Sequence, residues 1–304
     1  MELAKTVDFW ICLCYDKEAI LQGSGTRTVS VTRSPKKERK ARMMTVNLHT
    51  HTVRCSHATG SEREYIERAL ANGIRRMGFS DHIPFVFPDG NEDWYRVPMA
   101  RAEEYVQTLR QLREEYRGRI EIQIGFEAEC YPTYFEDMIQ RVKEIGAEYV
   151  ILGQHHVEYE KDGAFERFYS GTKTEDEEIL RGYVDQVIFA MRTGKITYVA
   201  HPELLNFVGD EQIYEREMRR LCQGAAETDT PLEINFLGIR EQRHYPKKKF
   251  WQWVKEYDCR VVFGFDAHNV ESAYDGESLQ VAEEWVKELG LRLETDPQIR
   301  LLEG

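Results

Sequence analysis

The sequence predicts an α/β fold, a closed or nearly closed β/α barrel. Three observations carry this. Seven short apolar runs alternate with amphipathic stretches from residue 45 onward, the pattern of a parallel sheet wrapped by helices. Glycines stand where the helical stretches should stop. Eight of the nine histidines lie at or just past the ends of the apolar runs, and in a β/α barrel those ends gather on one face.

Taken in order, run 45–48 leads into Leu48-His-Thr-His51, with His57 in the following loop. Helix 61–72 is announced by Ser61 and Glu64, spaced as a capping box, and is stopped by Gly73. Run 76–79 leads to Asp81-His82, and helix 101–116 stops short of Gly118. Run 120–126 leads to Glu127, with Glu129 beyond, and helix 134–144 ends before Gly146. Run 149–152 leads to Gly153-Gln-His-His156, and helix 174–193 ends at Gly194. Run 196–200 reaches His201-Pro202, followed by helix 211–227. Run 231–236 carries Glu233 and Asn235 and precedes helix 247–256. Run 259–265 leads to Asp266-Ala-His268 and a last helix, 277–289. Seven such units argue for a barrel rather than an open sheet.

A chain of 304 residues with 41% hydrophobic content can bury a full core, and one β/α barrel fills roughly 250 residues. Residues 1–43 stand apart: 33–42 is a basic run without interleaved aromatic residues. We expect 1–43 to be a disordered N-terminal extension, which an upstream start codon would explain, and 44–304 to be the barrel domain. The net charge of -12 disfavours long nucleic acid, whose affinity comes largely from Lys and Arg. A small anionic substrate stays open, because bound cations invert the local field. The stretch 7–14 is too short to span a bilayer, so no membrane partner is expected. The six scattered cysteines form no CxxC pair and point to a reduced, cytoplasmic location. Neither GxGxxG nor GxxxxGK[ST] occurs, so a nucleotide cofactor has no support.

The strand-end residues suit metal. His49 with His51, and Asp266 with His268, share a side by strand period. Each residue also has a plain structural reading: a strand-end histidine can be hydrogen-bonded, Glu127 can pair with an arginine, and Asp81 and Asp266 can cap helices. Jointly these readings strain. At least seven imidazoles and two acids facing one another need many separate partners, whereas divalent cations satisfy them together. Imidazole with carboxylate suits zinc, manganese or iron. Because zinc takes three or four protein ligands, about nine candidates imply two or three ions. Closely spaced ions of this kind hydrolyse phosphate esters.

The series HxH, a further His about six residues on, DH, GxE, GxH, AHP and DAH resembles the PHP (polymerase and histidinol phosphatase) superfamily. Ser80-Asp-His-Ile-Pro84, Leu232-Glu-Ile-Asn235 and Gly264-Phe-Asp-Ala-His268 are more narrowly similar to monofunctional histidinol-phosphatases. The resemblance runs from Thr45 to about Tyr274. It implies a distorted (β/α)7 TIM-like barrel with a trinuclear site at the carboxyl ends of the strands. One ion would take His49, His51, Glu127 and Asp266; a second would share Glu127 and add His155 and His201; a third would take His57, His82 and His268. The pair His155-His156 is ambiguous, and the spacing from Glu148 favours His155. Phe265 stands where many relatives have Ser. The implied reaction is hydrolysis of L-histidinol phosphate in histidine biosynthesis, with Asp266 and His268 in the catalytic step. Arg240 is a candidate phosphate clamp, and His156 and His244 are further candidate substrate contacts. Oligomeric state is not legible.

Three other readings compete. The same chemistry could serve a nucleotide, cyclic phosphodiester, sugar phosphate or phosphotyrosine. A non-catalytic PHP module is disfavoured by the complete ligand set. A metal-dependent amidohydrolase is disfavoured because His155 and His156 stand where such barrels usually place a bridging Lys.

Overall fold

The structure, a computed structural model, describes residues 44–161 and 164–302. The expected extension, 1–43, lies outside the described residues. Strands β1 (Val46–Asn47), β2 (Arg76–His82), β3 (Glu121–Ala128) and β4 (Tyr149–Leu152) come first. A hairpin of β5 (His156–Lys161) and β6 (Ala164–Tyr169) precedes β7 (Ile196–Val199), β8 (Leu232–Asn235), β9 (Arg260–Gly264) and β10 (Arg292–Leu293). The helices are α1 (Glu62–Ala71), α2 (Ala102–Glu115), α3 (Phe135–Glu144), α4 (Glu177–Thr193), α5 (Glu211–Glu227), α6 (Phe236–Arg240), α7 (Lys248–Glu256) and α8 (Gly276–Leu289).

The sheet runs β1-β2-β3-β4-β7-β8-β9-β10, and every neighbouring pair is parallel. It curls until the segments following β1 and β9 meet. There Thr50 and Ala267 form a parallel bridge, with the His51 N–H donating to the Ala267 carbonyl at 2.9 Å. At the opposite end β10 flanks β9, Arg292 opposite Arg260. The β/α barrel is therefore drawn together at its carboxyl mouth, where the candidate residues stand.

Local chemistry explains the elements. Ser61 and Glu64 form the capping box that starts α1. Gly73, Gly118, Gly146 and Gly194 all have positive φ, the left-handed stop that only glycine adopts without strain. Asp176, Asp210 and Asp275 cap α4, α5 and α8 through their carboxylates.

Two apolar clusters result. The larger lies between sheet and helices and includes Tyr105, Leu109, Phe126, Met138, Val184, Leu221 and Trp251. The smaller, inside the curl, joins Val46, Leu48, Tyr149, Ile151, Tyr198, Ala200 and Val262. Tyr149 fills this interior and donates to the Leu48 carbonyl at 2.9 Å. Gly78 and Gly125 make room for it. A Cβ at Gly125 would lie 2.4 Å from its ring, and one at Gly78 would lie 2.1 Å from its hydroxyl. Overpacking of this kind costs about 1–3 kcal/mol, so Gly125→Ala should lower the melting temperature by several degrees. Calorimetry checks this, and an unchanged transition would show that Tyr149 moves aside freely.

The seven expected strands are all present. The structure adds β10, the hairpin and the short helix α6. The hairpin carried a signal: Asp162-Gly163 separates two alternating runs, the commonest two-residue hairpin chemistry. Two-residue β10 has no periodicity to read.

Candidate metal centre

Each candidate side chain is set by a strand end. His49 and His51 follow β1, and His57 follows a short turn at Val53–Cys55 whose cap is Thr52. His82 closes β2, and Glu127 is the penultimate residue of β3. His155 lies between β4 and β5, His201 just past β7, and Asp266 and His268 just past β9. His201 and Asp266 take positive φ, 29° and 47°. Such backbone costs about 1–3 kcal/mol per residue and persists where the surroundings over-determine it.

The nine residues converge. Ring centroids are 5.2 Å apart for His49–His51, 4.5 Å for His51–His82 and 4.1 Å for His51–His268. They are 4.7 Å apart for His57–His268, 4.9 Å for His82–His155 and 5.0 Å for His155–His201. Glu127 sits among them. Its Oε1 lies 2.8 Å from His201 Nε2, 3.6 Å from His49 Nε2 and 3.7 Å from His155 Nε2. Its Oε2 lies 3.4 Å from His51 Nε2 and 3.3 Å from His82 Nδ1.

These separations decide how the group is read. Hydrogen bonds between such atoms measure about 2.7–3.2 Å. Donors around one tetrahedral zinc at about 2.0–2.1 Å stand roughly 3.4 Å from one another. His49 Nε2 and His51 Nε2 are 3.5 and 3.3 Å from Asp266 Oδ1, so the contacts of His49, His51, His82 and His155 with the two carboxylates fall nearer the second figure, while His201 alone lies at hydrogen-bond distance from Glu127. His49 Nε2, His51 Nε2, His82 Nδ1, Glu127 Oε2 and Asp266 Oδ1 are buried without a hydrogen-bond partner. Buried polar atoms are seldom left so. The donor set fits divalent cations.

Outer carboxylates hold the rings. Glu233 Oε2 is 2.9 Å from His49 Nδ1, which turns Nε2 toward Glu127. Asp81 Oδ1 is 3.4 Å from His51 Nδ1 and accepts from the Thr52 backbone at 3.1 Å through Oδ2. Glu129 Oε1 is 3.5 Å from His155 Nδ1. Asn235 donates to both Glu233 and Asp266, at 2.7 and 3.0 Å. Two glycines allow the approach: a Cβ at Gly153 would lie 1.9 Å from Glu127, and one at Gly264 would lie 2.0 Å from Glu233.

Charge is strongly coupled here. Burial disfavours an imidazolium at His49, but Glu233, Asp266 and Glu127 outweigh it and raise the ring well above its ordinary value. His51 and His155 are likewise raised against burial, by Asp266 and Asp81 and by Glu127 and Glu129. Burial, then the charge on His51, pushes His82, His57 and His268 down. Burial would raise Glu127 and Asp266, yet neighbouring imidazoles hold both well below the usual carboxylate range.

The three candidate substrate contacts are placed differently. His155 turns toward Glu127, whereas His156 opens β5 and stacks on Tyr95 at 5.7 Å. Arg240 ends α6 with Nη1 on Asp275 at 2.8 Å and Nη2 3.4 Å from the Asp266 carbonyl. His244 Nε2 donates to the Leu204 carbonyl at 2.8 Å, which commits that nitrogen. Sequence reasoning passed over Tyr95 and Arg96. Arg96, fully buried, pairs with Glu129 at 2.7 Å. Its Nη2 also donates to the Tyr95 hydroxyl at 3.0 Å. Nothing in their loop, which lies off the strand ends, marks them.

A sequence profile of the PHP domain matches residues 47–236, more than half of the chain. The chain belongs to the PHP domain family. The match stops before Asp266 and His268, which the geometry above brings beside the matched histidines and Glu127. A protein of Deinococcus radiodurans named "Probable histidinol-phosphatase" is 27% identical over 231 residues, 72% of this chain and 85% of that protein. The histidinol-phosphatase of Bacillus subtilis is 25% identical over 248 residues, 72% of this chain and 92% of its own length. Among solved structures, the PHP barrel is similar to the histidinol phosphate phosphatase of Lactococcus lactis, described in complex with zinc, L-histidinol and phosphate. The TM-score is 0.62 at 19% identity, covering 82% of this chain and 95% of that one, a likeness of fold.

Proposed function

We propose that this PHP protein is a metal-dependent phosphoric monoester hydrolase whose substrate is L-histidinol phosphate, cleaved to L-histidinol and phosphate. One observation carries the hydrolase reading: the buried atoms His49 Nε2, His51 Nε2, His82 Nδ1, Glu127 Oε2 and Asp266 Oδ1 face one another at metal-ligand spacing with no hydrogen-bond partner. The curated relatives support the substrate, since two of them bear the histidinol-phosphatase name.

In this reading His49, His51, Glu127 and Asp266 would hold one ion, and Glu127 with His155 and His201 a second. His57, His82 and His268 would hold a third. Two or three divalent ions (zinc, manganese or iron) bound there would polarise the phosphoryl oxygens and activate a water. The chain's residues supply position. Glu127 turns one oxygen to His49, His155 and His201 and the other to His51 and His82, fixing five rings against one carboxylate. Asp266 and His268 form the proposed catalytic pair, because Asp266 Oδ1 lies 3.3 Å from both His51 Nε2 and His268 Nδ1. Arg240, beside the Asp266 carbonyl, is the proposed phosphate clamp. His156, and more weakly His244, are proposed contacts for the leaving alcohol. A cytoplasmic location belongs to the same proposal. Four free, buried cysteines support it, and among the described residues no helix is long and apolar enough to cross a membrane.

Phosphate release across a panel of esters tests the reading, with histidinol phosphate expected to give the highest kcat/KM; release from every other ester but not this one would reject the substrate. Two variants probe the parts. Glu233→Gln removes the charge behind His49 and should weaken metal affinity about 10- to 100-fold, read by competition with a chromogenic chelator; unchanged affinity would deny Glu233 that part. Arg240→Ala should raise KM for the ester more than it lowers kcat, and an unchanged KM would retire the clamp.

A further inference from the structure

One feature at the mouth is unexplained by the metal cluster: aromatic side chains stand in water there. Trp94 is 71% exposed and Tyr169 51% exposed. They are the ends of a continuous row of rings. Trp94 meets His57 edge-on at 5.8 Å and Tyr95 at 6.2 Å. Tyr95 stacks on His156 at 5.7 Å, and His156 meets Tyr169 at 5.4 Å. The row therefore borders the cluster along its first two rings, since Tyr95 also meets His82 edge-on at 5.2 Å and His155 at 6.4 Å, and continues through His156 to Tyr169.

The scaffold of this row is rigid although its two ends are bare. Asp93 accepts from Arg96 at 2.9 Å and bidentately from Arg167, at 2.6 and 2.9 Å, which ties the Trp94 loop to β6. The Tyr95 hydroxyl lies 3.0 Å from Glu129 and 3.2 Å from His156 Nδ1. The residues on both sides of Trp94 are thus locked, while its indole meets solvent. An indole held in water on a fixed backbone forgoes its own burial and is preorganised to stack on something planar.

We infer that Trp94 and Tyr169 form an aromatic platform that selects phosphate esters whose leaving group carries a planar aromatic ring. The inference rests on the reading of the cluster as a phosphoester centre. The phosphate sits on the cluster, and the remainder of the ester extends along the rim that starts at His57. Stacking needs ring faces rather than a particular hydrogen-bond pattern, so the platform sets a class, aryl and heteroaryl over alkyl, and leaves finer choice to neighbours such as His156.

The test compares kcat/KM for three esters on the metal-loaded full chain: L-histidinol phosphate, 4-nitrophenyl phosphate and glycerol 2-phosphate. Trp94→Leu and Tyr169→Leu keep an apolar side chain but remove the ring. Each should lower the ratio of either aromatic ester to glycerol 2-phosphate about 3- to 10-fold, and Trp94→Phe should restore most of the ratio. Bound metal per chain is measured alongside. Ratios that stay at the wild-type value overturn the platform, whether the rates themselves hold or fall together with metal content. Equal ratios for Trp94→Phe and Trp94→Leu also overturn it, since shape alone would then suffice. The substrate proposal fails separately: wild-type enzyme that ignores histidinol phosphate, while Trp94→Leu still lowers the ratio of 4-nitrophenyl phosphate to glycerol 2-phosphate, rejects the named substrate and retains the platform.

Discussion

Replacing Glu127 with glutamine should lower kcat/KM by on the order of 10³-fold or more, since metal charge stabilisation is worth several kcal/mol and each ~1.4 kcal/mol is tenfold. The side chain keeps its size, so the fold is not the issue. What changes is that one of two inward oxygens becomes an NH2 group. Oε1 now faces His49, His155 and His201, and Oε2 faces His51 and His82. Whichever way the amide turns, a donor points into the space that a cation would share. Bound metal should fall with activity. Gly153→Ala would act through the same carboxylate by steric means, because its Cβ would lie 1.9 Å from Oε1. A Glu127→Gln enzyme within tenfold of wild type and fully loaded would contradict the bridging role.

Stripping the metal should abolish turnover and reverse the pH dependence that the cluster gives to stability. The sign follows from linkage. In the metal-free protein His49, His51 and His155 are raised above the unfolded value, which is about 6.5. Their contribution is fully present below about 6.5 and is lost as pH rises through the folded values. His57, His82 and His268 are pushed down, so above that value they are neutral both folded and unfolded and add no slope. Cations need neutral imidazoles, so binding releases protons and strengthens with pH. Burial pushes Glu203 up to about 8. That adds a falling slope to both forms, which cancels in the comparison. The gap in melting temperature between loaded and stripped protein should therefore widen between about pH 6.5 and 8.5. Differential scanning fluorimetry measures it, and a constant or narrowing gap would deny that protons and cations compete for these rings.

How much of this was legible depends on what each residue obeys. The seven principal strands and their helices follow periodicity, and Ser61, Gly73, Gly146 and Gly194 follow local backbone chemistry, so both were readable. His49, His82, His201 and Asp266 were readable because barrel topology turns a strand end into an address. Glu233 was visible only as a strand residue. Its task depends on Gly264 leaving 2.0 Å where a Cβ would sit, a relation between two chains of atoms that no spacing encodes. Tyr95 and Arg96 lie in an irregular loop, and their link to Glu129 exists only in three dimensions. The hairpin is absent from the sequence expectations although Asp162-Gly163 is a turn signal, because its strands, in which Val157 alone is buried, lack the apolar run by which the other strands are legible.

The most direct measurement is X-ray diffraction from crystals of active protein at the absorption edge of the metal it carries. The account expects two or three anomalous peaks among His49, His51, His82, Glu127, His201 and Asp266, each about 2.0–2.3 Å from its imidazole and carboxylate donors. Crystals that release phosphate from the ester yet show no peak inside that ring of residues would contradict it.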